Sequence, residues 1–428
     1  MAYRRSISAC LGALACVVGL VVATPAGAKT SDNTPTAAKA VTWLATQQQA
    51  DGGFEVSGFA GFETPDAVLA IAEQAQTGTT WSTSEALAAV QATTNATGKT
   101  PLDALDDFAD GGLSAGQAAK LIALDVGALG LDPSAFDPQG DGGTTTDLIG
   151  TVDAAFNPAD GSYSSLGTFN ATLYAALAGK VAHGPVPAKT LDLVRARQQA
   201  GGGWSFDADT TGATEADNDT TALAIEALVA GGAGGTDANV KRGLHFLAAG
   251  QKANGAWQSF GADDPNSTAV AELAIRAAGF DPSTTCWRAT AASDVTTTVT
   301  ASPDEWLRSQ QQADGHIASP NDSFGLNTFA TSQSVQGLLR AWLPIATAPA
   351  QACTSVSPGT QQPTATTPAG STGSDAEVLG ATEDGTTVAG ELPRTGGSGD
   401  QIALTGIGAA FVLLGTGLVA GARRRTVQ

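Results

Sequence analysis

The chain has 428 residues, 42% of them hydrophobic and 6% aromatic, with 21 basic against 41 acidic side chains. That length allows two or three domains and that apolar fraction a sizeable core. A net charge of −20 repels phosphate backbones and anionic headgroups, so nucleic acid is excluded as a partner and an anionic lipid surface is disfavoured.

Residues 1–28 read as a secretory signal. Arg4 and Arg5 form a basic start, an apolar run follows from Ala9 to Ala23, and Ala26-Gly27-Ala28 offers a small-residue cleavage site. The arginine pair leaves both the general secretory and the twin-arginine routes open.

Residues 33–353 carry an internal repeat. Four copies share one spacing of an apolar pair, Gln, Gly and a large apolar residue. They are Trp43-Leu44, Gln48, Gly52, Phe54; Leu193-Val194, Gln198, Gly202, Trp204; Phe246-Leu247, Gln251, Gly255, Trp257; and Trp306-Leu307, Gln311, Gly315, Ile317. Two weaker copies keep only the turn, Asp110-Gly111-Gly112-Leu113 and Asp160-Gly161-Ser162-Tyr163. The turn glycines recur about every 50 residues, the mark of a repeat architecture. Helical apolar spacing precedes the turns over 37–48, 190–199 and 241–247. It follows them over 65–75, 116–129, 170–181, 220–230, 267–278 and 331–343. Asp219, Ser267 and Thr331 are expected N-caps. Six helix pairs of this kind close into an all-α ring, an α6/α6 toroid.

The repeat resembles the QW motif of the terpenoid cyclase and prenyltransferase superfamily, in which the Gln and the aromatic tie one outer helix to the next inner one. The resemblance implies the toroid fold, but that fold hosts enzymes, carriers and structural domains alike. Asp217-Asn218-Asp219-Thr220-Thr221-Ala222 resembles the Asp-x-Asp-Asp-Thr-Ala motif of squalene–hopene cyclases. Carried over, Asp219 is the general acid and Asp217 its neighbour, with Thr220 standing where that motif has a third Asp. Three expectations turn the reading away from cyclisation. No second helical domain is expected beside the toroid. Tyr174 and Trp342 are nearly the only aromatics on the inner helices. The domain is exported, whereas polyprenes are dissolved in membranes inside the cell.

The same acidic loop also has a metal reading: Asp207, Asp209 and Asp217 sit in an oxygen-rich run resembling the start of a calcium loop. No other cofactor is indicated. Outside the signal the cysteines are Cys286 and Cys353, so in an oxidising compartment a single Cys286–Cys353 disulfide is expected.

Residues 354–391 are rich in Thr, Ser, Gly and Pro and read as a disordered spacer. Residues 392–428 follow in three parts: Leu392-Pro393-Arg394-Thr395-Gly396, an uncharged apolar run over 402–422, and Arg423-Arg424-Arg425. The run is long enough for one hydrocarbon core and the arginines hold its end inside. The arrangement resembles the sorting signal of Gram-positive surface proteins. It implies a sortase that joins Thr395 to peptidoglycan, leaving the protein outside the cell after transient membrane anchoring. The expected protein is therefore a wall-anchored, non-enzymatic binding or structural module. Its ligand site would be the ring centre, rimmed by Thr64, Asp66, Asn170, Asp217, Asp219, Asn266, Thr268, Ser332 and Gln333. A terpenoid cyclase-like enzyme using Asp219 and a calcium-stabilised adhesin are the alternatives.

Overall fold

The computed structural model describes residues 32–342 except 56–60, 141, 164–168, 183 and 323–324. The signal (1–28), Cys353, the spacer (354–391) and the sorting segment (392–428) lie outside the described residues. Among the described residues, no helix is long and apolar enough to cross a membrane.

The fold is mostly helical. In chain order the helices are α1 (Thr34–Thr46), α2 (Thr64–Ala75), α3 (Thr83–Ala92), α4 (Pro101–Asp110) and α5 (Ala115–Leu121). A π-helical turn (Ile122–Val126) joins α5 to α6 (Gly127–Leu129). Then come α7 (Leu148–Ala154), α8 (Phe169–Ala182), α9 (Ala188–Ala196), α10 (Asn218–Ala230) and α11 (Ala238–Gly250). A hairpin of β1 (Trp257–Ser259) and β2 (Ala262–Asp264) leads into α12 (Pro265–Ala277), α13 (Cys286–Ala291), α14 (Pro303–Ser309) and α15 (Thr328–Leu339).

Local chemistry sets the helix starts. Thr100 with Asp103, Ser114 with Gln117 and Ser302 with Glu305 form reciprocal capping boxes for α4, α5 and α14. Two of the expected caps are displaced. Asp217, not Asp219, caps α10 by accepting from the Thr220 amide at 2.7 Å, and Asp264, not Ser267, caps α12 by accepting from the Ser267 amide at 3.1 Å. In α12 the earlier start follows from Pro265, whose fixed φ and missing N–H suit the first turn. The third, Thr331, lies inside α15, whose N-cap Asn327 makes no side-chain cap bond. The short helices α3, α4, α7, α13 and α14 escape the sequence pattern, because six to ten residues are too few for an apolar period to stand out.

Six segments, α5 and its π-turn counting as one, pack in a closed cycle: α2 on the π-turn, α5 on α8, α8 on α10, α10 on α12, α12 on α15, and α15 back on α2. The other helices lie outside this cycle, α1 against α15 and α2, α4 against α2, α7 against α5, α9 and α11 against α10, and α14 against α12 and α15. The innermost helices are correspondingly buried; all of Thr64 to Glu73 in α2 is covered.

The repeat residues stitch this arrangement together. The side-chain amides of Gln48, Gln198, Gln251 and Gln311 donate to the carbonyls of Gly52, Gly202, Gly255 and Gly315 at 2.7–3.2 Å. Gln198 and Gln311 also donate to the carbonyls of Asn239 and Thr36, within the following outer helix. The turn glycines let that helix sit directly on the turn. A Cβ on Gly202 would stand 2.4 Å from the Arg242 carbonyl oxygen, and one on Gly315 would stand 2.6 Å from that of Lys39 in α1. The last turn thus abuts the first helix. The weak copy at Gly161 makes the same approach, onto Lys189 of α9. The copy at Gly111-Gly112 does not: a Cβ on Gly112 would meet nothing within 4 Å.

Substituting Gly202 by Ala adds a backbone clash to the strain of φ +95°, whereas Gly212, at φ +84°, has open space around it. Gly202→Ala is expected to cost at least about 2 kcal/mol more than Gly212→Ala. Denaturant titration of the two variants checks the difference.

Candidate functional site

Three neighbouring inner helices carry a stripe of partly exposed residues in otherwise buried surroundings: Asn170 and Tyr174 on α8; Asp219, Leu223 and Glu226 on α10; Asn266, Val270 and Leu273 on α12. Spacings of three and four place each set on one helix face. In α10 the other faces are taken by α8, α12, α9 and α11, so the stripe looks into the ring. The charges of Lys120, Asp66, Glu226 and Asp219, from three further elements of the cycle, all reach the Tyr174 hydroxyl. Residues of four inner segments thus converge on Tyr174 at the inside of the helical cycle, called the lumen below.

The opposite half of the ring is filled by a polar network. Lys120 pairs with Asp66 at 2.7 Å, donates to the Phe62 carbonyl at 2.6 Å, and lies over the rings of Phe62 and Phe329 at 5.2 and 5.7 Å. Gln336 donates to the Asp66 carbonyl at 3.0 Å, and Asn266 donates to Gln333 at 3.0 Å. Thr328 donates to Glu63, while Glu55 accepts from the amides of Phe62, Glu63 and Thr64 at 2.9–3.1 Å. Toward the C-terminal ends of α12 and α15, Arg340 pairs with Asp304 at 2.8 Å and Glu272 at 3.3 Å, which closes the ring on that side.

Of the expected rim, Thr64 and Thr268 accept instead from the turn amides of Phe54 and Trp257, each at 3.0 Å. Ser332 donates to the Thr328 carbonyl, and Asp217 is a cap. Asp66, Asn266 and Gln333 belong to the cross-ring network. Asn170 and Asp219 each keep a buried side-chain oxygen without a hydrogen-bond partner. Asp219 and Asp217 are therefore neighbours at the start of α10 with different tasks, one turned to the lumen and one to the backbone.

The lumen carboxyls resist ionisation. Burial, aided by repulsion from Asp217 and Asp264 and opposed by a hydrogen bond with Ser267, pushes Asp219 up to about 7. Burial alone pushes Glu226 up to about 8. In the π-turn, Asp125 is fully covered, neither of its oxygens has a partner, and burial with the nearby Asp66 raises it well above the usual carboxylate range. Glu63 is pushed to about 8, chiefly by burial. Glu226, Asp125, Glu63 and Lys120 are additions to the sequence reading. Glu226 was legible as the third member of the 219, 223, 226 stripe; Asp125 and Lys120 are placed by long-range packing. Phe62 and Phe329 add two aromatic rings beside the lysine, tilted by 36° with centroids 4.9 Å apart.

The calcium reading meets a loop that satisfies itself. Asp207 accepts from Ser205, the Asp209 amide and Thr214, and Asp209 accepts from Thr211, Gly212 and Thr214, at 2.6–3.1 Å. Among the described residues, no group of three or more His, Cys, Asp or Glu is arranged to hold a metal ion. Cys286 is disulfide-bonded; its expected partner Cys353 lies outside the described residues.

A family model described as the squalene-hopene cyclase C-terminal domain matches residues 161–270, the stretch that holds Asp217, Asp219 and Glu226. No curated protein matches. Among solved structures, a point variant of the type II terpene cyclase MstE from Scytonema, in complex with its substrate geranylgeranyl dihydroxybenzoate, is 15% identical at a TM-score of 0.49, over 73% of this chain and 97% of that one. The apo form of MstE is 15% identical at 0.47, over 73% and 98%. A protein from Actinoplanes is 19% identical at 0.42, over 72% and 99%. The family match and the closed helical cycle support a terpenoid cyclase-like α/α toroid, and the match favours the enzymatic alternative over the non-enzymatic module expected above.

A carboxyl raised on folding stabilises the fold below its unfolded pKa, and that contribution is lost as pH rises through the folded value. Stability should therefore fall between about pH 5 and 8 as Asp219 and Glu226 are forced to ionise. Glu226→Gln is expected to flatten the decline and to exceed the parent at pH 8 by on the order of 2 kcal/mol. Denaturant titrations at pH 5 and 8 measure this.

Proposed function

We propose that the domain is a terpenoid cyclase-like enzyme built of six helix pairs, with Asp219 as the general acid. The observation that carries this reading is Asp219 itself. It lies inside the matched stretch, keeps one buried oxygen unpartnered, and holds its proton near neutral pH beside the apolar wall of Leu223, Val270 and Leu273. A desolvated carboxyl of this kind gives up its proton to a substrate atom that carries positive charge onward. Asp217 holds the start of the helix and so fixes where Asp219 stands.

An acid near 7 protonates oxygen far more readily than carbon. An isoprenoid bearing an epoxide is thus the better acceptor, and squalene, named in the matched family, is the harder one. With the epoxide of squalene as substrate, Asp219→Asn should lower product formation by about 10²- to 10⁴-fold while the protein stays folded. Gas chromatography–mass spectrometry of the products provides the readout. Equal product from both proteins would overturn the reading and leave a binding module with the same lumen.

The ends of the chain support export and wall attachment: the signal over 1–28, the spacer over 354–391 and the sorting motif Leu392 to Gly396, with a sortase and peptidoglycan as partners. Thr395→Ala should move the protein from the wall fraction to the membrane fraction of its host. Unchanged wall attachment would contradict this.

A further inference from the structure

Away from Asp219, the seam where α12, α14 and α15 meet places one guanidinium between two carboxyls. Arg340 Nη1 donates to Asp304 at 2.8 Å and to the Gly337 carbonyl at 2.7 Å, and Nη2 donates to the other Asp304 oxygen at 3.3 Å. Glu272 is left at 3.3 Å from Nη1, and neither of its oxygens has a hydrogen-bond partner. Glu272 is fully covered, and Asp304 and Arg340 nearly so. The seam has no space for hydration: a Cβ on Gly337 would stand 2.9 Å from a Glu272 oxygen and 2.8 Å from Ala269.

Two carboxylates on one guanidinium leave a negative charge uncompensated out of water, which is costly. Asp304 occupies both guanidinium nitrogens, so Glu272 is the carboxyl that stays neutral. Burial, and then repulsion from Asp304, raise Glu272 well above the usual glutamate range against the pull of Arg340. Asp281, in the loop after α12, repels it further, and Arg276 of α12 lies toward Asp281 and Arg340. Of the remaining groups on packed elements, Glu305 is taken by its capping box, Arg308 by Asn33, and Glu226 of α10 shows no charge interaction. Strands β1 and α15 itself carry no titratable side chain. The backbone adds a second sign. Arg340 ends α15 at φ +48°, in the left-handed region that glycine normally fills, so its contacts hold a strained helix end in place.

We propose that this seam is a proton-dependent latch: neutral Glu272 lets α12, α14 and α15 close around Arg340, and its ionisation frees the last turn of α15 and opens the ring at that end. The contribution of the latch is complete below the pKa of an unfolded glutamate and is lost as pH rises through the raised folded value. It depends neither on Asp219 nor on turnover.

The test is hydrogen exchange of the full chain at pH 6 and 9, corrected for intrinsic rates, with α11 as the internal reference. Protection of the amides of residues 336–340 should fall at least about tenfold relative to α11 between the two pH values. Glu272→Gln keeps the seam neutral and should hold that ratio constant. Asp304→Asn strips the guanidinium of its main partner and should lower protection of the same turn at pH 6 by about a hundredfold. A ratio in the parent that does not change with pH overturns the proposal. So does a Glu272→Gln variant as poorly protected at pH 6 as Asp304→Asn, because Glu272 would then carry the charge. Should Glu272→Gln fail to fold, the pH dependence of the parent decides alone. Asp219→Asn should leave the α15 to α11 ratio unchanged, so failure of the proposed chemistry and failure of the latch are told apart.

Discussion

The ring depends on one recurring contact, a glutamine side-chain amide held on the carbonyl of a turn glycine. The turn is tight and the glycine has no Cβ, so the start of the next outer helix rests on its backbone. The same turn presents its large apolar residue to a threonine of the inner helix. Phe54, Tyr163, Trp204, Trp257 and Ile317 donate their amides to Thr64, Thr172, Thr221, Thr268 and Thr331, each at 3.0 Å. One turn therefore fixes an outer helix, its inner partner and the outer helix of the next unit. Made at five of the six turns, with Gly315 on Lys39 as the last contact, this ties the helices into a closed cycle.

Closure has a consequence for chemistry. Inner helices placed this way bring their first turns to one end of the ring, where Asp66, Asp217 and Asp219 are largely shielded from water. Half of that space is neutralised by the Lys120–Asp66 pair and the glutamines around it. The other half keeps Asp219 at that end, with Leu223 and Glu226 following on successive turns of the same face of α10. The Lys120 side is tied together by an ion pair and hydrogen bonds, whereas the Asp219 side is apolar and acidic.

Much of this was legible in the sequence. The Gln and Gly spacing gave the repeat, and the inner helices were placed within a few residues. Asp217 and Asp219 stood out by resemblance, although only the structure separates the cap from the inward acid. Of the five threonines, Thr64 and Thr268 were expected on a ligand rim and Thr331 as a cap; their bonds to a turn roughly ten residues or more away follow no local pattern. Short outer helices such as α7 and α13 carry too few periods to be seen. Lys120 and Asp125 owe their roles to contacts across the ring, and no local pattern marks them. The π-turn that carries Asp125 interrupts an otherwise continuous helical spacing, a feature common at functional positions.

Everything proposed for the site depends on Asp219 standing inside the ring with its carboxyl raised to about 7. A carbon-detected NMR titration of the Asp219 carboxyl, assigned through Asp219→Asn, tests it most directly. A midpoint near 7 is expected, well above that of an exposed aspartate. A midpoint near about 4 would place the carboxyl in water and contradict the site as described.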